Sequence, residues 1–241
     1  MSQKRSKSFP LQDYYSRIYK TYDLVNAIFT LGLDKKWREI TVKECLKDSP
    51  AKVLDLCCGT GDLAIKICLA AEYDIKVKGY DLNSDMLGVA RHKAESAGVH
   101  PEFIRGDASS MPFKNQEFDC ITIGFGFRNL TWSNPGRNLH IAEMNRVLKP
   151  GGRLLILESS QPEKPLLRFF YKLYLRFVLI PLGGLISGDW NAYRYLAGSS
   201  NAFYRFSELQ QLLAGFNFNL SLKKRFLAGS ANLLVATKVA G

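Results

Sequence analysis

The chain has 241 residues, 46% of them hydrophobic and 23% charged, and shows no internal repeat or low-complexity segment, so it is long enough for one large domain with a sizeable core. Lysine plus arginine exceed aspartate plus glutamate by 33 − 22 = 11, which favours anionic partners without choosing between nucleic acid and anionic lipid. The five cysteines, at 45, 57, 58, 68 and 120, form neither a metal-ligand spacing nor an even disulfide framework, which predicts a reducing cytoplasm and no metal site.

The N-terminal Met-Ser-Gln-Lys-Arg-Ser-Lys-Ser is basic but leads into no apolar signal core, so export is not expected. Residues 1–45 read as a helical cap segment, and 46–241 as the main domain. Within it, 52–56, 76–80, 102–104, 118–123 and 153–157 are short and rich in Val, Ile, Leu and Phe, while 62–71, 84–97 and 138–148 have helical spacing. Strands alternating with helices predict βαβ units, a doubly wound α/β sheet covered on both faces, and ligands at the carboxyl ends of the strands.

After Glu158 the pattern changes. Residues 161–206 interleave Phe169, Phe170, Tyr171, Tyr174, Phe177, Trp190 and Tyr195 with Lys164, Arg168, Lys172, Arg176 and Arg194, an aromatic and basic insertion. Its uncharged run 177–188 contains Pro181, Gly183 and Gly184, and reads as broken there and too short to span a bilayer. Residues 216–226 and 232–238, joined through Gly229, are predicted to pair as a terminal antiparallel hairpin.

The first strand runs into a glycine turn, Val53-Leu54-Asp55-Leu56-Cys57-Cys58-Gly59-Thr60-Gly61-Asp62-Leu63-Ala64. Read as Gly59-x-Gly61-x-x-Ala64, it satisfies a dinucleotide fingerprint, and Asp81 follows Gly61 by 81 − 61 = 20 residues, where a ribose-binding acid belongs. Charge separates the candidates. A pyrophosphate here would sit between Asp55 and Asp62, whereas the ammonium and sulfonium of S-adenosylmethionine would be attracted to both. Asp62 can equally be a cap of the following helix, a role less suited to Asp55, which precedes the turn. Asp81, Asp107 and Ala108 follow the next two strands and complete a nucleoside site, the acid at 81 facing ribose and 107–108 facing adenine.

Four stretches together resemble the menaquinone and ubiquinone biosynthesis C-methyltransferases: Val53 to Ala64; Asp81-Leu82-Asn83-Ser84-Asp85-Met86-Leu87; Phe118 to Asn129; and Arg146 to Ser160, with Leu148-Lys149-Pro150-Gly151-Gly152 inside it. Tyr22-Asp23-Leu24-Val25-Asn26 with Trp37-Arg38 resembles a further signature of that family. The resemblance implies a Rossmann-like class I methyltransferase fold, with Gly59, Thr60, Gly61 and Gly124 beside the cofactor. Gly124 stands where many members place Ser.

It also implies that Arg128 and Asn129, after the fourth strand, face a prenylated naphthoquinol or benzoquinol, demethylmenaquinol first, with a ubiquinone-type benzoquinol or a phylloquinone precursor as the alternatives. The reaction is methyl transfer to a ring carbon made nucleophilic as the adjacent hydroxyl loses its proton. Arg128 cannot be a conventional base, because its pKa exceeds about 12, but it can hold an oxyanion or orient the deprotonating water. Asn129 would meet the second ring oxygen or lock the loop. The competing structural role for Arg128 is an ion pair with Asp119 or Glu143. His140 reads as packing behind the sheet and Cys120 as packing inside it, so neither is assigned to catalysis.

The insertion predicts the substrate's tail and its location. Phe169, Phe170, Leu173, Leu175 and Phe177 can line a path for a polyprenyl chain, while Lys164, Arg168 and Lys172, at four-residue spacing, meet lipid phosphates. A cytoplasmic protein attached peripherally to an anionic membrane follows, with a homodimer compatible. A nucleic-acid partner is not expected: no Asn/Asp-Pro-Pro-aromatic tetrad follows the fourth strand and no Pro-Cys pair is present. A non-enzymatic S-adenosylmethionine-binding subunit is the alternative that turnover would separate.

Overall fold

The computed structural model describes residue 16 and residues 21–30, 32–162 and 164–239. Helices α1 (Tyr22–Phe29) and α2 (Asp34–Leu46) precede β1 (Lys52–Leu56), α3 (Asp62–Ala70), β2 (Lys76–Asp81), α4 (Ser84–Ser96) and β3 (Glu102–Arg105). The second half runs β4 (Phe118–Gly124), α5 (Phe127–Thr131), α6 (Arg137–Val147) and β5 (Leu148–Ser159). The seven strands, with β6 (Phe218–Phe226) and β7 (Ala231–Lys238) last, form one sheet in the order β3-β2-β1-β4-β5-β7-β6.

The strand residues alternate between two cores, as a period of two requires. Leu54, Leu56, Ile121, Ile123, Leu154 and Ile156 face Ile141, Met144 and Val147 of α6. Val53, Cys120 and Leu155 face the opposite way, against Val42 and Cys45 of α2 and Leu63, Ala64 and Ile67 of α3. The five strands from β1 to β5 pair in parallel, so their carboxyl ends share one edge. The chain reverses only at the end, where β7 pairs antiparallel with both β5 and β6. β5 extends beyond the expected 153–157, because Leu148 already pairs with Phe118 across a register shift before Cys120.

The insertion departs from its sequence reading. Pro181, Gly183 and Gly184 do not break the helix: α7 (Pro165–Tyr174), a π-helical turn (Leu175–Leu179) and α8 (Ile180–Ser187) run on as a 23-residue helix, Pro165–Ser187, long and apolar enough by length and composition alone to cross a membrane. The π turn explains the tolerance for proline. Ile180 N–H donates to Leu175 C=O, an i to i−5 bond, and this widening removes the usual clash of a proline ring with the preceding turn. The glycines serve close packing against α9 (Trp190–Ala202), whose first turn is capped by the Asp189 carboxylate. A Cβ on Gly183 would collide with the Tyr193 ring, and one on Gly184 would lie 2.6 Å from Trp190. Helix α10 (Phe206–Ala214) then returns the chain to β6.

Two glycine substitutions separate packing from propensity. Gly183→Ala is expected to destabilise by about 1–3 kcal/mol through overpacking. Gly198→Ala, in α9 with nothing within 4 Å of the added methyl, is expected to stabilise by about 0.5–1 kcal/mol. Thermal unfolding of both variants checks the opposite signs.

Candidate active site

The turn after β1 is shaped by backbone that only glycine adopts easily. Gly59 and Gly61 have φ of 53° and 80°, and a Cβ on Gly61 would meet Phe103 at 2.8 Å and Ala90 at 2.9 Å. Cys57 and Phe125, at the ends of β1 and β4, hold left-handed φ of 55° and 60°, strain that these neighbouring strand ends sustain. Burial pushes the Cys57 and Cys58 thiols well above their usual range, so both stay protonated.

The two acids around the turn exchange the roles that their positions suggested. Asp55, not Asp62, holds the helix start: its Oδ2 accepts from Ala64 N–H at 3.1 Å and its Oδ1 from Thr122 Oγ1–H at 2.9 Å. Burial pushes the Asp55 carboxyl up to about 7, only partly opposed by the Thr122 bond and the Arg38 charge. Asp62 instead turns to cations, pairing with Lys93 Nζ and lying 3.7 Å from Arg38 Nε. Burial works to raise its carboxyl, but Arg38 and Lys93 outweigh it and hold Asp62 low. Helix α1 joins this cluster, since Asp23 accepts from Thr60 Oγ1–H at 2.8 Å and pairs with Lys93 at 3.1 Å.

Asp81 lies at the carboxyl end of β2, and each oxygen already accepts one backbone N–H at 2.9 Å, from Gly59 and from Asn83. A carboxylate has about four acceptor positions, so both oxygens retain capacity for hydroxyls. Asp107 is exposed and accepts from Ser109 N–H at 2.8 Å, a bond that holds its carboxyl low, while Ala108 is buried beside it. His140 was expected behind the sheet; it is buried, but its Nδ1 lies 2.9 Å from Leu130 C=O and its Nε2 3.8 Å from Asp107. At Gly124 a Cβ would stand 2.8 Å from Leu63 Cδ1 and 3.1 Å from Arg38 Nη1, so the space that a serine would occupy belongs to those two side chains.

Arg128 is 2% exposed and Glu158 1%. Neither acid considered from sequence is the arginine's partner: Asp119 holds Lys149 and Glu143 holds Arg146. Glu158, at the end of β5, accepts the Arg128 backbone N–H at 3.0 Å and pairs with Nε at 3.8 Å. Nη1 of Arg128 donates to Ser199 Oγ of α9 and, at 3.2 Å, to Asn129 Oδ1, and the guanidinium lies 6.0 Å from the Tyr195 ring centre. The Asn129 carbonyl is held by Asn134 at 2.9 Å.

Next to this pair is an apolar cavity of about 220 Å³, lined by Trp37, Phe125, Phe170, Tyr171 and Tyr174 among others, with Ser159 in its wall. Ser159 Oγ–H donates to Glu158 at 2.9 Å, which connects the cavity wall to the ion pair. Sequence reasoning missed four contributors: Glu158, Lys93 and Ser199 were assigned no role, and Arg38 entered only as part of a resembling signature. Glu158 left one legible signal, a charge closing the apolar run Leu154–Leu157. Lys93 and Ser199 sit on helices at ordinary polar positions and left none.

The Asp55 shift has a definite sign. Because its native pKa lies above the ordinary value near 3.9, the folded chain holds a proton that the unfolded chain has lost, and stability falls as pH rises from about 4 to about 7. Denaturant unfolding between pH 5 and 8 is expected to show that fall in the native chain and a flatter profile in Asp55→Asn.

A model of the ubiE/COQ5 methyltransferase family matches residues 1–238. The chain is 40% identical over 206 residues to the demethylmenaquinone methyltransferase of Thermus thermophilus, covering 86% of this chain and 91% of that one. It is 34% identical over 239 residues to that of Staphylococcus saprophyticus, covering 99% and 100%. Among solved structures, the magnesium protoporphyrin IX methyltransferase of Synechocystis with bound SAH aligns with a TM-score of 0.66 at 17% identity, over 95% of this chain and 98% of that one. An Aquifex aeolicus SAM-dependent methyltransferase aligns at 0.57 and 18%, over 82% and 89%. At those identities the likeness is one of fold. Sheet order, glycine turn and relatives agree: the chain is an S-adenosylmethionine-dependent methyltransferase and belongs to the ubiE/COQ5 methyltransferase family.

Proposed function

We propose that this enzyme methylates a ring carbon of a prenylated quinol, with demethylmenaquinol as the substrate and menaquinol as the product. The observation that carries the reading is the apolar cavity whose wall residue Ser159 is bonded to the buried Arg128–Glu158 pair, a place for a ring near a fixed charge. The relatives named demethylmenaquinone methyltransferase support the naphthoquinol in particular.

In this reading Gly59, Thr60 and Gly61 form the floor of the cofactor site, Asp55 braces it from beneath, Asp81 receives the ribose hydroxyls, Asp107 and Ala108 meet the adenine, and Gly124 borders the methyl. Of the 1–45 cap segment, residues 21–30 and 32–45 act as a cap, supported by the Asp23 bond to Thr60, while most of residues 1–20 lies outside the described residues. S-adenosylmethionine, when bound, supplies an electrophilic methyl on a sulfonium. The ring oxygen must lose its proton for the adjacent carbon to attack, and Arg128 favours that oxyanion electrostatically while Glu158 and Ser199 keep its guanidinium oriented. With the cofactor bound, the carbon–carbon bond would form as the sulfur–methyl bond breaks, the ring hydrogen on the attacked carbon would leave as a proton, and the ring oxygen would regain the proton it gave up, for one proton released in all. Asn129 fixes the Arg128 fork and contacts the second ring oxygen.

The tail and the membrane follow from the insertion. Leu166, Phe169, Phe170 and Phe177 are exposed along the helix that closes the cavity, and Lys164, Arg168, Lys172 and Arg176 run beside them. An apolar stripe flanked by cations suits an interfacial helix on an anionic leaflet of the cytoplasmic membrane, where a prenyl tail would enter past Leu167 and Phe170.

Purified protein incubated with S-adenosylmethionine and demethylated naphthoquinols or benzoquinols in detergent is expected to give the methylated naphthoquinol by mass spectrometry; no product from either would sink the quinol reading. Arg128→Lys is expected to lower turnover by about 10²-fold or more while cofactor affinity survives, since the charge remains but the fork is lost. Arg128→Ala leaves Glu158 buried alone and is expected to cost stability on the order of 3–5 kcal/mol as well. Near-normal turnover in a stable Arg128→Lys chain would make the pair purely structural. Vesicle flotation is expected to show salt-sensitive binding to anionic lipid, lost when Lys164, Arg168 and Lys172 are changed to Glu.

A further inference from the structure

We propose that Arg38 and Asp62 form the subsite for the amino-acid end of S-adenosylmethionine, Arg38 taking the carboxylate and Asp62 the ammonium. Arg38 extends from α2, on the N-terminal side of the sheet domain, yet its guanidinium sits at the carboxyl end of β4. It is 7% exposed, its Nη1 lies 3.1 Å from where a Cβ of Gly124 would be, and its carbon lies 5.4 Å from the centre of the Phe125 ring.

The guanidinium is placed but not satisfied. Nε has no hydrogen-bond partner among the described residues, and its two carboxylate neighbours, Asp34 and Asp62, each stand 3.7 Å away, beyond hydrogen-bond distance. A buried charged donor without an acceptor is costly, and such groups call for a ligand, an ion or a water. The acceptor that fits a planar fork is a carboxylate.

Asp62 supplies the complementary half. It flanks the glycine turn, stays ionised between Arg38 and Lys93, and accepts no backbone N–H in capping its own helix. An anion and a cation side by side at the strand ends match a zwitterion, whereas the nucleoside acids Asp81 and Asp107 lie along the edge towards β3. Asp55 is less suited to the ammonium, because both its oxygens are engaged inside the domain. Gly124 belongs to the same arrangement, since a larger residue there would press on Arg38 Nη1.

The inference rests on the sulfonium cofactor and not on the quinol, so it holds or fails whatever the methyl acceptor proves to be. Calorimetry on the full chain uses three probes: S-adenosylhomocysteine, decarboxylated S-adenosylmethionine and 5′-methylthioadenosine, which lacks the whole amino-acid end. Arg38→Gln is expected to weaken S-adenosylhomocysteine about 10- to 100-fold, the scale of one or two charge-assisted hydrogen bonds, and to leave the other two probes unchanged. Asp62→Asn is expected to weaken S-adenosylhomocysteine and decarboxylated S-adenosylmethionine but not 5′-methylthioadenosine. Should Arg38→Gln fail to fold, Arg38→Lys is expected to show a smaller loss for S-adenosylhomocysteine with the same selectivity. An equal loss on all three probes, no loss on any, or a carboxylate-selective loss in Lys93→Met with Arg38→Gln unaffected would overturn the assignment.

Discussion

Glu158 is a carboxylate placed at 1% exposure after the apolar run Leu154–Leu157 of β5, and much of the packing between the sheet and the insertion is organised by what that charge requires. A buried anion is tolerated only when it is paired and hydrogen-bonded. Glu158 accepts the backbone N–H groups of Arg128 and Ser159 and the Ser159 hydroxyl, and takes the Arg128 guanidinium as its counterion. Arg128 is long enough to satisfy this acid from β4's end and still reach Ser199 in α9. One ion pair therefore joins two central strands to the insertion, and the Ser159 hydroxyl links it to the wall of the adjoining cavity.

The insertion can be apolar on its outer face because its inner face is fastened independently. Tyr174 donates to the carbonyls of Ile28 and Phe29 at 3.1 Å, and Leu175, Leu179 and Tyr193 bury against Val25 of α1. Gly183 and Gly184 let α8 and α9 approach ring to backbone. The exposed phenylalanines of the long helix consequently add little to the fold's own packing. A patch of that kind normally marks an interaction surface.

Around the glycine turn, charge is distributed by depth. Asp55 is deepest, is pushed up to about 7 by burial, and acts as a brace for α3 and β4. Asp62, nearer the surface, is kept ionised by two cations, one from α2 and one from α4. Two acids seven residues apart thus have different chemistry, because the low dielectric inside the sheet penalises the charged form and nearby lysine and arginine favour it.

The strand and helix assignments were legible because they depend on local periods: alternating or continuous apolar runs for β1 to β5, helical spacing for α3, α4 and α6, and glycines where the turn after β1 needs positive φ. The strand-end acids Asp81 and Asp107 were legible for the same reason, since parallel connection alone sends each of them to one edge. Continuity of the helix through Pro181 was not, because a π turn is decided by packing and not by the proline. Nor were the partners of the charges. Glu158 reaches Arg128 across 30 residues and Ser199 meets it across 71, while Arg38 comes to Asp62 and Gly124 from another helix. The sequence by itself determined the sheet and the edge at which its strand-end acids gather; only the tertiary structure decided which acid holds which cation there, because a buried charge takes its partner from whatever elements the strand order brings within a few ångströms.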